Sequence, residues 1–374
     1  MTVFIPKVGF RASDGLILAE PVTVVKDHGR GLRVMRLAAT DAGIELAFEV
    51  RDPQLEEACA SGRADYRSSL GEIRVRDAAG ALVPPIAGPG NGISFGSHDY
   101  GVFGRTALFA PLRAGTHAVT LEVRGELGEW DVPLALVPLA QAGLTRATSI
   151  DAADRRNGVT VRVAAIAETE DGLVLEVRAD AGPTVNAIEI GGRFLRGTDG
   201  FALIVEGGDR LHELSMRERM GMRRSGSTVV SFPRIDSRSL TLVVPAIVVQ
   251  ESEGTLELDL PIYAPTDLMF GPHPVRIRYA SAVDALPTAP GEAARPGVEI
   301  QFGDATWHDD RRVLRPGPVF VDGSHVDWSV TDRVEPGMMS LNIPMADGAS
   351  ARKVTMRQPI IAVRGPWEIA FRRP

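Results

Sequence analysis

Residues 43–48 read GIELAF, a glycine followed by alternating side chains. The pattern returns as GLVLEV at residues 172–177 and as GVEIQF at residues 297–302. Alternation with a period of two is typical of a β-strand that buries one face. The copies recur with a period of roughly 110–130 residues, which is too long for a solenoid repeat and close to the size of a small β domain. The sequence therefore predicts repeated β units, each with a core of its own.

Two further patterns follow each glycine strand in the same order. The first reads VTL at residues 119–121, LTL at 240–242 and VTM at 354–356. The second closes each unit and reads WDV at residues 130–132, LEL at 256–258 and WEI at 367–369. We therefore predict an all-β fold of three tandem immunoglobulin-like antiparallel β-sandwich domains, with boundaries at 1–143, 144–264 and 265–374. The closing strand of the third domain is expected to point Trp367, Ile369 and Phe371 into one core.

The composition is that of an ordinary globular protein, with 44% hydrophobic and 24% charged residues. The formal net charge of -7 argues against nucleic acid as a partner, because phosphate binding needs a basic face. Cys59 is the only cysteine, so no intrachain disulfide can form. Its acidic neighbours also disfavour a thiolate, and we predict no catalytic role for it.

No signal peptide is visible at the beginning of the sequence, and no window approaches 18 apolar residues. We therefore predict no membrane span in this chain. The compartment stays open, since the chain lies outside the cytoplasm only if it is part of a longer anchored protein.

Three short segments resemble bacterial immunoglobulin-like modules of unknown function from the extracytoplasmic parts of anti-sigma-factor-type membrane proteins. They are NGV at residues 157–159, the Phe232–Pro233 pair before a Leu-Thr-Leu strand, and GPW at residues 365–367. The resemblance covers most of the second and third units and is weaker in the first. It implies non-catalytic modules behind a membrane span, and this sequence contains neither that span nor a sigma-binding segment. The resemblance supplies no catalytic residues.

The densest polar cluster of the sequence lies in the third unit, at residues 307–310 and 322–328. A hairpin could bring His308, Asp309, His325 and Asp327 together as ligands of a divalent metal. The spacing matches no established metal motif, and aspartate and glycine are also ordinary turn residues. The alternative is a set of solvated loop side chains.

The segment RERMGMRR at residues 217–224 is the most unusual surface candidate. Arginine binds carboxylate or phosphate through two parallel hydrogen bonds, and methionine adapts to apolar partners. We interpret Arg217, Arg219, Met220, Met222 and Arg223 as a candidate partner-binding set. The alternative is a solvated loop whose methionines pack on their own domain.

One Gly-x-Ser-x-Gly match occurs at residues 92–96 around Ser94, with His98 and Asp99 close behind. That motif is catalytic only where a strand turns sharply into a helix, and the residues after it are typical of a strand. We therefore predict no enzyme activity and no cofactor. The predicted function is a non-catalytic binding or structural module array, for instance a sensor or envelope-associated protein with a protein or cell-envelope partner. The alternative is a β-sandwich enzyme acting on a polysaccharide or small molecule.

Overall fold

The computed structural model describes residues 2–5, 9–26, 29–51, 72–86, 94–97, 102–125, 128–142, 144–191, 200–214, 226–286, 295–303, 310–332, 339–345 and 351–374. In these ranges the chain is all-β, its paired strands are antiparallel, and no α-helix occurs. A short 3-10 turn lies at Leu139–Gln141. The predicted all-β class is confirmed.

The strands of the first part of the chain are β1 (Thr2–Ile5), β2 (Gly9–Ala12), β3 (Leu16–Leu18), β4 (Val22–Val25), β5 (Gly31–Thr40), β6 (Gly43–Arg51), β7 (Glu72–Asp77), β8 (Leu82–Val83), β9 (Ser94–Ser97), β10 (Val102–Phe109), β11 (Ala118–Gly125) and β12 (Gly128–Pro138). Strands β3 to β12 form one sheet in the order β8-β7-β11-β12-β3-β5-β6-β10-β9, with β4 beside β5. This sheet surrounds the first core, a cluster of buried side chains that includes Leu37, Phe48, Leu121 and Trp130.

The middle of the chain contributes β13 (Thr145–Arg156), β14 (Val159–Thr169), β15 (Gly172–Asp180), β16 (Val185–Ile190), β17 (Ala202–Val205), β18 (Arg210–His212), β19 (Ser227–Phe232) and β20 (Ser239–Glu251). The last part contributes β21 (Thr255–Asp259), β22 (Thr266–Phe270), β23 (His273–Val283), β24 (Gly297–Gly303), β25 (Arg311–Arg315), β26 (Val319–Val321), β27 (Ser324–Val326), β28 (Ser329–Asp332), β29 (Met339–Pro344), β30 (Lys353–Arg357) and β31 (Ile360–Arg372).

Two sheets enclose the second core, which includes Val161, Leu175, Phe232, Leu242 and Trp367. Their strand orders are β19-β15-β14-β13-β1-β2 and β18-β17-β20-β31-β25, with β16 beside β20. Two more sheets, β21-β30-β26-β27 and β22-β23-β24-β29-β28, enclose the third core. That core includes Phe270, Ile300, Leu341 and Met356. The three largest apolar clusters of the described residues thus lie against β-sheets, an arrangement like that of β-sandwiches.

The repeated glycine has the same steric cause in each copy. A Cβ atom on any of the three would come within 3.0 Å of a backbone carbonyl oxygen on the neighbouring strand. The oxygens belong to Phe109, Phe232 and Ile343, which face Gly43, Gly172 and Gly297 respectively. Only glycine permits so close an approach of two backbones. The motif that defines the repeat is therefore a strand-packing requirement.

The closing strands are paired differently from the prediction. In the first unit β12, which carries WDV, pairs with β11, which carries VTL. The LTL strand β20 instead pairs with β31, where Leu242 lies opposite Ile369 and Val244 opposite Trp367. The LEL strand β21 pairs with β30, where Leu256 lies opposite Met356. The second and third closing strands are thus exchanged, and residues 255–357 lie between two paired strands of the second core.

Trp367, Ile369 and Phe371 share one buried face of β31, which confirms the predicted alternation. They enter the second core, however, and not the third. The indole Nε1 of Trp367 donates a hydrogen bond of 3.0 Å to the carbonyl oxygen of Val159. The local pattern was right about the face of this strand but could not identify its partner. The boundaries at 143 and 264 stay a prediction.

The first strands of the chain also cross between units. Strand β1 pairs with β13, so the hairpin β1–β2 extends a sheet of the second core. Val3 and Ile5 on this hairpin pack against Ile17 and other residues of the first unit. On β2, Arg11 forms a buried ion pair with Glu45 of β6. The hairpin therefore connects the first and second units through both apolar contact and a buried charge pair.

Candidate functional site

A β-bulge occupies the same place in the strand before each repeated glycine. The bulges lie between Val34 and Arg36 in β5, between Val163 and Ala165 in β14, and between Ile277 and Tyr279 in β23. In each unit the residue after the bulge lies opposite the fifth residue of the repeated hexapeptide. These pairs are Arg36 with Ala47, Ala165 with Glu176, and Tyr279 with Gln301. Bulges bend a strand and redirect a side chain, so the side chain after each bulge has an equivalent place on the sheet face that points away from the main core of its unit.

The three units place different chemistry at this equivalent position. Burial lowers the pKa of the half-buried Arg36 guanidinium below its ordinary value, because desolvation disfavours the charged form. Ala165 lies in a buried cluster with Phe4 and Phe10 of the hairpin β1–β2. Tyr279 instead packs beside Tyr263. The same backbone geometry therefore carries a half-buried cation, a buried methyl group and a half-buried phenol.

Of the three equivalent positions, the one in the third unit lies beside an aromatic side chain that faces solvent. The ring centroids of Tyr263 and Tyr279 lie 6.1 Å apart, with the planes tilted by 48°. Tyr263 is 72% exposed, and it is the one aromatic residue among the exposed large hydrophobic side chains of the described residues. The preceding residue, Ile262, exchanges two backbone hydrogen bonds of 2.7 and 2.9 Å with Ala280. These bonds fix the backbone beside β23 and so place the two rings next to each other.

A polar network continues from Tyr279 across the sheet. The amide Nε2 of Gln301 donates to Oε1 of Glu299 at 3.1 Å. The hydroxyl of Ser340 donates to the same oxygen at 3.0 Å, and both Glu299 and Ser340 are buried. The Oε1 atom of Gln301 and the hydroxyl groups of Tyr263 and Tyr279 make no hydrogen bond within the part of the chain that the structure describes. Gln301 is thus held in place by its nitrogen and offers its oxygen.

One pair of charged side chains lies on the neighbouring edge of this sheet. Arg276 lies 3.7 Å from Asp267, its cross-strand partner on β22. Met269, also on β22, is 55% exposed and adds apolar surface to the same edge. We call Tyr263, Tyr279 and Gln301 the tyrosine–glutamine patch. It combines an aromatic surface with hydrogen-bonding groups that carry no net charge.

A second polar cluster lies where the second and third cores meet. Oε1 of Glu251 is 3.0 Å from Nε2 of His273 and 3.4 Å from Nη1 of Arg311. These residues stand at the end of β20 and at the beginnings of β23 and β25. Glu251 and His273 are largely buried. The cluster therefore connects strands that belong to two cores.

Two of the four predicted metal ligands lie within the residues that the structure describes. His308 and Asp309 lie outside the described residues. His325 and Asp327 are exposed, and the ring of His325 packs edge-on against Phe320 with centroids 5.5 Å apart. Within the described ranges no group of three or more His, Cys, Asp or Glu side chains could hold a metal ion. The metal site stays a prediction.

The other sequence candidates are also largely outside the described residues. This applies to the whole arginine–methionine set, Arg217, Arg219, Met220, Met222 and Arg223, and to His98 and Asp99. Ser94 is the first residue of β9, and β9 pairs with β10, the strand that the sequence indicated after the motif. The partner-binding role of the arginine–methionine segment stays a prediction.

Sequence reasoning missed the tyrosine–glutamine patch. A signal was present, because the third hexapeptide, GVEIQF, carries Glu299 and Gln301 at both outward positions, whereas the second carries Val174 and Glu176. The sequence has only 4 tyrosines, and two of them meet here. Their contact depends on the bulge at Ile277 and on the pairing of Ile262, and neither follows from local alternation.

No helix within the described ranges is long and apolar enough to cross a membrane. No family model matches the chain. No curated protein matches it either. Among solved structures, it is similar to a crystal structure described as the conserved domain protein from Bacillus anthracis, with 8% sequence identity and a TM-score of 0.32. The likeness covers 74% of this chain and 83% of that chain, and at this score it carries no conclusion about fold or function.

Proposed function

We propose that the chain is a non-catalytic array of immunoglobulin-like β-sandwich modules that binds or organises a partner. The observation that carries this proposal is the equivalent bulge position, where Arg36, Ala165 and Tyr279 occupy the same backbone geometry. A common scaffold that carries different side chains at one equivalent position supports an array of binding or structural modules, because function depends on the residues that a fold carries. The resemblance of the second and third units to extracytoplasmic modules supports a sensor or an envelope-associated protein as the setting.

The partner is proposed to be a protein or a component of the cell envelope. An interaction through an exposed aromatic side chain on a rigid sheet suits such a partner, because tyrosine supplies contact area at a low cost in side-chain entropy. The net charge of -7 again disfavours nucleic acid.

A turnover screen tests the non-catalytic part of this proposal. The purified full chain is incubated with chromogenic esters, glycosides and polysaccharides, and the products are separated by chromatography. We expect no product above that of a heat-denatured control. Turnover that survives further purification and is abolished by Ser94→Ala, or by substitution of a single carboxylate, would contradict the proposal and establish an enzyme of β-sandwich type.

A further inference from the structure

We propose that the tyrosine–glutamine patch binds a neutral carbohydrate, with one sugar ring placed against Tyr263. This inference rests on the proposed binding function and specifies its ligand. The patch lies on the face of the sheet β22-β23-β24-β29-β28 that points away from the third core. It is built from one exposed ring, one supporting ring and one positioned amide oxygen.

The aromatic part of the patch suits the apolar C–H face of a sugar ring. Tyr263 is 72% exposed, yet its ring is supported by Tyr279 at 6.1 Å. An aromatic ring that is both accessible and held in place can pack against an apolar surface with little loss of side-chain entropy. The backbone bonds between Ile262 and Ala280 keep the chain at this position, so the surface exists before the ligand arrives.

The polar part suits the hydroxyl groups at the rim of the same ring. Gln301 lies directly opposite Tyr279, and its nitrogen is engaged with Glu299. Its oxygen and the two phenol hydroxyls offer acceptors, and the phenols also offer donors. A few placed polar groups beside an aromatic surface are the usual composition of a small-ligand site.

The charges around the patch favour a neutral ligand. Arg276 is paired with Asp267, and the carboxylate of Glu299 is buried beneath two hydrogen-bond donors. The exposed groups of the patch are therefore uncharged. An anionic ligand would find no unpaired cation among them, while a polyol would find both apolar and hydrogen-bonding contacts.

The equivalent positions of the other units do not offer this combination. Arg36 in the first unit faces Ala47, and Ala165 in the second unit is buried beneath Phe4 and Phe10. We therefore assign the carbohydrate site to the third unit alone.

Affinity electrophoresis of the full chain tests the proposal. Native gels contain laminarin, hydroxyethyl cellulose, galactomannan, soluble starch or polygalacturonate, and mobility is compared with a gel without polysaccharide. We expect at least one neutral polysaccharide to retard the wild-type chain. Tyr263→Ala should reduce the affinity at least about tenfold, and Tyr263→Phe, which keeps the ring, should reduce it less. Gln301→Met should also weaken retardation.

Met269→Ala is the matched control, because Met269 is similarly exposed on the same sheet but has no aromatic ring. It should leave the retardation unchanged. Because Tyr263 is exposed, the Tyr263→Ala variant should have the melting temperature of the wild type. An unchanged melting temperature would show that the loss of binding is local and not caused by unfolding.

Three results would overturn the inference. The first is that no neutral polysaccharide retards the wild-type chain, and the second is that Tyr263→Ala leaves the retardation unchanged. The third is that only polygalacturonate, which is anionic, retards the wild-type chain. None of these produces turnover, so the non-catalytic proposal would survive each of them. Conversely, carbohydrate turnover would reject the non-catalytic proposal whether or not Tyr263 binds sugar.

Discussion

A glycine begins an equivalent strand in each of the three units, and in each unit the reason is steric. Its missing Cβ allows the carbonyl oxygen of the neighbouring strand to approach, and this contact recurs at Gly43, Gly172 and Gly297. The sequence was sufficient to find these strands, because a glycine before alternating residues is a local signal. It was not sufficient to explain them, since the oxygen that requires glycine belongs to another strand.

Gly172→Ala is therefore expected to destabilise the second core by about 3 kcal/mol or more, since a steric clash adds to the strain of a φ of 144°. Gly207→Ala is the matched control. Gly207 also has a positive φ, but a Cβ there would meet nothing within 4 Å, so the cost should be only about 1–2 kcal/mol. Urea denaturation measures both, and equal costs would contradict the steric explanation.

Trp367 gives a second prediction at the scale of the residue. Its side chain is fully buried and hydrogen-bonded to Val159. Trp367→Ala should cost about 3–5 kcal/mol, and the loss should appear in the second core. Hydrogen exchange should show faster exchange in β15 and β20, with little change in β24. Faster exchange confined to β24 would mean that Trp367 belongs to the third core after all.

Among the strands, the hairpin β1–β2 is attached to the first unit by a buried ion pair on which the stability of the protein should depend. Arg11 and Glu45 are both buried, and they lie on strands from different sheets. A buried ion pair adds little net stability over apolar side chains, but removing one partner leaves a poorly compensated charge. The hairpin should therefore tolerate loss of the pair better than loss of one member.

Arg11→Met is expected to cost about 3–5 kcal/mol in chemical denaturation. The double variant Arg11→Met with Glu45→Leu should recover most of that loss. A double variant as unstable as the sum of the single variants would contradict the prediction, because it would show that the two side chains act independently.

The elements also show where prediction from sequence reached its limit. The LEL strand at Leu256 and the WEI strand at Trp367 have the same alternation, so each satisfies the pattern of a closing strand. Which of them pairs with β20 is decided by contacts between strands more than 100 residues apart in the chain. Such pairing leaves no trace in local periodicity. The candidate site escaped prediction for the same reason, since Tyr263 and Tyr279 meet through the bulge in β23 and the pairing of Ile262 with Ala280.

Across the molecule as a whole, the structural units do not simply follow one another along the chain. One unit is inserted into another, and we call this arrangement threading. Residues 255–357 leave the second core after β20 and return to it at β31. Strand β25 from within this segment also pairs with β31. The second and third units are therefore linked through a shared sheet, because residues 255–357 are inserted between two of its paired strands.

A pair of engineered disulfides tests the threading most directly. Ala370 lies opposite Thr241 in the β20–β31 register, whereas a simple tandem repeat would place it opposite Thr355, as Pro133 lies opposite Thr120 in the first unit. In a Cys59→Ser background, Ala370→Cys is combined with either Thr241→Cys or Thr355→Cys, and the oxidised chain is analysed by peptide mapping. Opposed residues on paired strands meet the distance requirement of a disulfide. We predict an intrachain disulfide with Thr241→Cys and none with Thr355→Cys; a disulfide with Thr355→Cys alone would contradict the threaded fold.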